Sequence, residues 1–178
     1  MLENIKREFS WITWLLIPMG IMVNGVGGWL IAKSNLPLYL DSIGTIFLAV
    51  VSGPISGALT GVLTNILFGL VSPAYIPYWP VPLCMGLVAG FSANAGLFKN
   101  WRGVVVTGFL VALTAAGSST LVVANLYGSV TPNLFYFFVQ EPVDKILTAL
   151  IAFGIARNIP ERLRARLPRP ENITGEKR

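Results

Sequence analysis

The stretch WITWLLIPMGIMVNGVGGWLIA, residues 11–32, decides the fold class. It runs without a single charge, and about 20 apolar residues rising 1.5 Å each in a helix cross roughly 30 Å of hydrocarbon. It is longer than the apolar region of a signal peptide and lacks a small-x-small cleavage pattern followed by a soluble domain, so it reads as a first membrane span. The surrounding chain agrees. Of its 178 residues 54% are hydrophobic and only 12% charged, with a mean hydropathy of +0.68; soluble domains carry roughly 25% charge. The expected architecture is an all-α, polytopic integral membrane protein.

Six spans fit the pattern. After 11–32 comes Leu36 to Val51, apolar apart from Asp41, Ser42 and Thr45. Ser52-Gly53-Pro54 breaks it, and a third span runs to Leu70, the two forming a tight hairpin. A proline-rich aromatic loop, residues 72–82, leads to a fourth span from Leu83 to Phe98. The fifth, Val104 to Leu126, carries an interruption at Ala115-Ala116-Gly117-Ser118-Ser119, and Gly128 to Asn133 reads as a turn. The sixth ends at Arg157 and starts near Glu141-Pro142, where proline's missing N–H costs nothing, with Leu134 to Gln140 as a short aromatic half-helix. The domain reading is a cytoplasmic lead (1–10), a six-helix membrane domain (11–157) and a basic cytoplasmic tail (158–178).

Basic residues mark the cytoplasmic side of a membrane protein. Six spans put Lys6, Arg7, Lys99, Arg102, Arg157, Arg162, Arg164, Arg166, Arg169, Lys177 and Arg178 on one side, leaving only Lys33 and Lys145 toward the other. Both termini are therefore expected in the cytoplasm, with the proline-broken tail against lipid headgroups rather than nucleic acid. The absence of histidine, and a lone cysteine at Cys84, exclude disulfides within the chain, histidine-dependent triads and histidine-built zinc sites. No catalytic set, metal or cofactor is expected.

Two rows of small residues recur every fourth position. Gly53, Gly57, Gly61, Asn65 and Gly69 read as a helix-packing stripe in the third span, because small side chains let backbones approach in lipid. Gly20, Asn24, Gly28 and Ala32 form a related row on the first span, which reads either as internal packing or as a face for docking a separate membrane partner.

Ionisable groups inside a membrane cost about 2.5–3.5 kcal/mol each near a helix centre and call for a reason. Asp41, Glu141, Asp144 and Lys145 all fall toward the non-cytoplasmic side, Glu141 and Lys145 one turn apart. They read either as a self-neutralising structural network or as a binding site in which Lys145 meets an anionic or carbonyl group. Tyr75, Tyr78, Trp79, Asn125, Tyr127, Asn133, Tyr136 and Gln140 gather in the same outer region, and aromatic faces with a few amides suit a flat heterocycle. The prolines at 73, 77, 80 and 82 stiffen one loop into a lid. Single aromatics at such depths also belong to the interfacial belt.

Leu36-Pro37-Leu38-Tyr39-Leu40-Asp41-Ser42-Ile43-Gly44-Thr45, then Gly53-Pro54-Ile55-Ser56-Gly57, Thr64-Asn65 and Glu141-Pro142-Val143-Asp144-Lys145 together resemble the substrate-binding S component of energy-coupling factor vitamin importers. The resemblance implies six helices, cytoplasmic termini and an outer pocket closed by the loops after spans one, three and five. It also implies partners: a transmembrane coupling subunit, docked through small residues of the first helix, and two cytoplasmic ATPase subunits. This chain has no G-x-x-x-x-G-K-[ST] phosphate loop, so the energy would come from those subunits. The expected function is capture of a vitamin-like solute at the cell membrane, with Asp41, Tyr75, Tyr78, Trp79, Asn125, Tyr127, Gln140, Glu141, Asp144 and Lys145 as site candidates. A small membrane sensor or scaffold is the rival reading.

Overall fold

The computed structural model describes residues 2–128 and 136–174, and these are all-helical. The helices are α1 (Leu2–Glu8), α2 (Trp11–Ser34), α3 (Ile43–Val51), α4 (Pro54–Val71), α5 (Pro80–Asn94), α6 (Trp101–Tyr127), α7 (Glu141–Arg157), α8 (Glu161–Arg164) and α9 (Glu171–Thr174). Three of them, α2, α4 and α6, are long and apolar enough to cross a membrane. The outward face of α2 supports a lipid environment most directly: Trp14, Leu15, Met19, Met22, Val26, Trp29 and Leu30 are all exposed. So large an apolar surface has no favourable solution in water.

Small residues hold the bundle together. Helix α3 is its centre, with eight of its nine residues buried. Around it α5 contributes Ala89 and Ala93, α6 Val111 and Ala115, and α7 Ala149, Ala152 and Ala156. A tight seam joins α2 to α3, where a Cβ on Gly44 would stand 2.1 Å from the carbonyl oxygen of Gly20. The packing stripe of the third span divides between roles. Gly57 meets Ala49, Gly61 meets Pro82 and Thr45, and Gly69 meets Ile76. Gly53 stands outside the helix, as its N-cap with φ +133°, a backbone conformation open to glycine at little cost. Asn65 donates to the carbonyl of Tyr75 and so ties the helix to a loop rather than to another helix.

Both described ends of the chain meet at one end of the bundle. The Glu8 carboxylate accepts from the backbone N–H groups of Ile55 (3.0 Å) and Ser56 (3.4 Å), a negative charge placed at the N-terminus of α4 where the helix dipole favours it. Arg169 reaches Glu8 at 3.4 Å, and Arg7 pairs with Glu171 at 2.8 Å. The tail packs onto the bundle. Arg169 N–H donates to the Val51 carbonyl and the Asn172 amide to that of Val50, satisfying carbonyls that the C-terminus of α3 leaves open. Leu167 and Ile173 are buried there, while Arg162 and Arg166 remain exposed.

Three expected boundaries are corrected. The second span does not start as a helix at Leu36. Residues 36–42 are non-helical and Leu40 holds φ +46°, because Asp144 takes the N–H groups of Tyr39 and Leu40 that a helix would have used. The fourth segment starts earlier, at Pro80, and ends at Asn94. The fifth is unbroken through residues 115–119, since the hydroxyls of Ser118, Ser119 and Thr120 fold back onto carbonyls four residues earlier in the same helix. The start of the sixth agrees with the expectation at Glu141. A π-turn, Tyr136–Gln140, precedes it; the turn to Asn133 and the start of the half-helix at Leu134 lie outside the described residues.

The Gly20–Gly44 seam makes a direct test. Gly44→Ala forces backbone apart and is expected to cost about 1–3 kcal/mol, as overpacking does. Gly117→Ala, where an added Cβ meets nothing within 4 Å, is expected to be neutral or to stabilise by up to about 1 kcal/mol. Thermal unfolding of the two variants in detergent checks the contrast.

Candidate functional site

A cavity of about 550 Å³ opens at the end of the bundle opposite the chain termini, within the range of small-molecule sites. One wall is the 36–42 segment with Tyr39, Asp41 and Ser42. The C-terminal half of α4 supplies Thr64, Asn65 and Phe68, and the loop before α5 supplies Tyr75 and Tyr78. Ser119 and Thr120 of α6, Tyr136, and Glu141 and Lys145 of α7 complete it. The rings are ordered against one another: Tyr75 stands edge-on to Phe68 at 5.8 Å and Tyr39 edge-on to Tyr136 at 6.5 Å.

The polar floor is built from two nodes. In the first, Asn24 is fully buried and uses both ends of its amide. Its oxygen accepts from Gly44 N–H at 2.7 Å, and its nitrogen donates to Thr45 and Thr64 hydroxyls at 3.0 Å each. This pins α2, α3 and α4 together directly beneath the cavity. In the second node, Asp144 is fully buried. One of its oxygens accepts from the N–H groups of Tyr39 (2.8 Å) and Leu40 (2.9 Å), and the other accepts from Lys145. Lys145 Nζ also lies 3.7 Å from Asp41, 4.0 Å from Glu141 and 5.7 Å from the Tyr39 ring centre. A buried ammonium needs such company, since an unpaired ion in the interior costs several kcal/mol.

Of the ten site candidates, the structure brings Asp41, Tyr75, Tyr78, Glu141 and Lys145 to the cavity wall. Asp144 stands behind the wall as the support of Lys145. Trp79 and Tyr127 are exposed and absent from the lining, and Gln140 is half-buried outside it. Asn125 borders a separate depression of about 390 Å³ and donates to Leu121 of its own helix. Asn133 lies outside the described residues. In the docking row, Gly20 and Asn24 are buried against α3 and α4, and Gly28 faces Asp41. Only Ala32 of the four is exposed. The row is an internal seam because Asn24 finds four polar partners inward.

Sequence reasoning missed Tyr39, Phe68, Thr45, Thr64, Ser119 and Thr120. Tyr39 lay two residues from Asp41, and Phe68 one helical turn beyond Asn65; that spacing was the available signal. Among the described residues no set of carboxylates or thiols converges as metal ligands. No family model, curated protein or solved structure matches the chain.

The Asp144 node yields a prediction that needs no ligand. Asp144→Ala leaves Lys145 and two backbone N–H groups without their acceptor, a loss of about 3–5 kcal/mol for a broken buried pair. Hydrogen exchange is expected to accelerate first at the amides of Tyr39 and Leu40, whereas acceleration spread evenly over all helices would contradict the node.

Proposed function

We propose that this chain is the solute-capture subunit of an importer of the energy-coupling factor type, binding a vitamin or related small micronutrient. The observation that carries the reading is the aromatic-walled cavity, with its buried Lys145 and carboxylates, at the end of the bundle away from the basic termini. A structural ion network alone has no use for about 550 Å³ of open volume beside it, whereas a flat polar ring does.

In this reading α2 to α7 alternate in direction through the plasma membrane. The end bearing Arg7, Lys99, Arg102, Arg157 and Arg169 faces the cytoplasm, and the cavity faces outward. Helix α3 is too short to cross by itself at nine residues, but its surroundings support the placement. Non-helical backbone at membrane depth is tolerated where protein or a polar cavity covers it, and the 36–42 segment has both. The chain hydrolyses nothing itself; a transmembrane coupling subunit and two cytoplasmic ATPase subunits supply the energy. With Gly20 and Asn24 turned inward, the coupling subunit meets a different surface, the exposed apolar face of α2.

Two measurements test the reading. Mass spectrometry of small molecules released from the purified protein is expected to find one vitamin-like compound at close to one per chain, and mild isolation from the native membrane is expected to recover ATPase subunits. A protein empty of ligand and free of ATPases would favour the sensor or scaffold reading. For topology, with Cys84 replaced by alanine, a cysteine at Tyr127 is expected to react with an impermeant maleimide in intact cells, and one at Arg162 only after permeabilisation.

A further inference from the structure

The geometry points to a ligand that carries positive charge: the cavity takes a flat organic cation, seated between Glu141 and Asp41 against the tyrosine faces. This deepens the capture reading and rests on it. It also reverses the expectation that Lys145 receives an anion.

The charge count decides the sign. Three carboxylates, Asp41, Glu141 and Asp144, surround the single ammonium of Lys145 within 4.0 Å. Asp144 already holds that ammonium by a direct hydrogen bond through one oxygen, and its other oxygen accepts from two backbone N–H groups. One of the ammonium's three N–H donors is thereby used, and an arriving anion would face two further carboxylates, Asp41 at 3.7 Å and Glu141 at 4.0 Å from the same ammonium. Glu141 is only partly satisfied, by a side-chain hydrogen bond with Tyr136 and by Lys145 at 4.0 Å. It is buried to 3% exposure, lines the cavity, and its Oε2 accepts no hydrogen bond. The Ser42 hydroxyl, also buried on the wall, has no hydrogen-bond partner either. A buried carboxylate oxygen without a donor is costly, and a cationic or N–H-bearing ring edge supplies what it lacks.

The aromatic wall fits the same ligand. Tyr39, Tyr75, Tyr78, Tyr136 and Phe68 surround the space, and the negative faces of such rings attract cations. The cation is organic rather than a metal ion, because the carboxylates are spread around Lys145 instead of converging on one point.

The test uses probes that share a ring system and differ in charge: N-methylquinolinium, quinoline and quinoline-4-carboxylate, with 1-methylnicotinamide, nicotinamide and nicotinate as the one-ring set. Calorimetry on the purified protein is expected to show each cation binding at least about tenfold tighter than the matching anion. That preference is expected to fall at least about tenfold in Glu141→Gln, with neutral-probe binding little changed. Should Glu141→Gln fail to accumulate, Asp41→Asn, at a partly exposed position, is expected to show the same selective loss. Anions binding as tightly as cations, or no probe binding at about 10 mM, overturns the proposal. An anionic vitamin found in the released fraction would overturn the charge assignment and leave capture standing. Cation preference in a protein that recovers no ATPases would leave the site standing and remove the importer.

Discussion

The cavity end of the molecule depends on one buried contact set, the Asp144 carboxylate between Lys145 and the backbone of Tyr39 and Leu40. It costs α3 its first two turns, because the N–H groups it captures would otherwise belong to a helix starting at Leu36. In return it fixes a polar, non-helical segment beside α7. That segment carries Tyr39, Asp41 and Ser42 onto one wall of the cavity while α7 carries Glu141 and Lys145 onto the adjoining one. A helix through residues 36–42 would fill the space with side chains, and the cavity would not exist.

The opposite end is built for the contrary purpose. Glu8 caps α4, Arg169 and Asn172 close the carbonyls of α3, and Arg7 clasps Glu171, so the ends of the chain and the α3–α4 turn form one interlocked plug. Between the two ends the Gly20–Gly44 seam and the Asn24 node hold α2, α3 and α4 in fixed register. The cavity thus sits on a rigid base beneath a loop whose Tyr75 and Trp79 remain partly exposed. That arrangement suits a site that admits a solute from one side only, as the proposed capture role requires.

The candidate site was legible in part, for identifiable reasons. Charges inside apolar segments stand out against their background, so Asp41, Glu141 and Lys145 were visible in the sequence, as were the tyrosines of the proline-rich loop. Phe68, Thr45 and Thr64 were not, because a phenylalanine or threonine in a membrane helix looks the same whether it faces lipid, a neighbour or a cavity. The small-residue row on α2 left both readings open for the same reason: spacing shows that Gly20, Asn24, Gly28 and Ala32 share a face, but not what that face meets. Only the positions of Thr45, Thr64 and the Gly44 amide reveal that it meets the interior.

By itself the sequence determined the all-helical class, the helical segments of α2, α4, α6 and α7, and the segregation of basic residues to one end. These follow from hydrophobic run length, proline position and charge, which act within a segment or summed over it. The tertiary structure alone decided that residues 36–42 leave the helix, that the tail folds back onto α3, and which side chains share the cavity. Each of those outcomes is a competition for a backbone or side-chain hydrogen bond. In two of them, the extended 36–42 segment and the folded tail, the winning partner lies a hundred or more residues away in the chain.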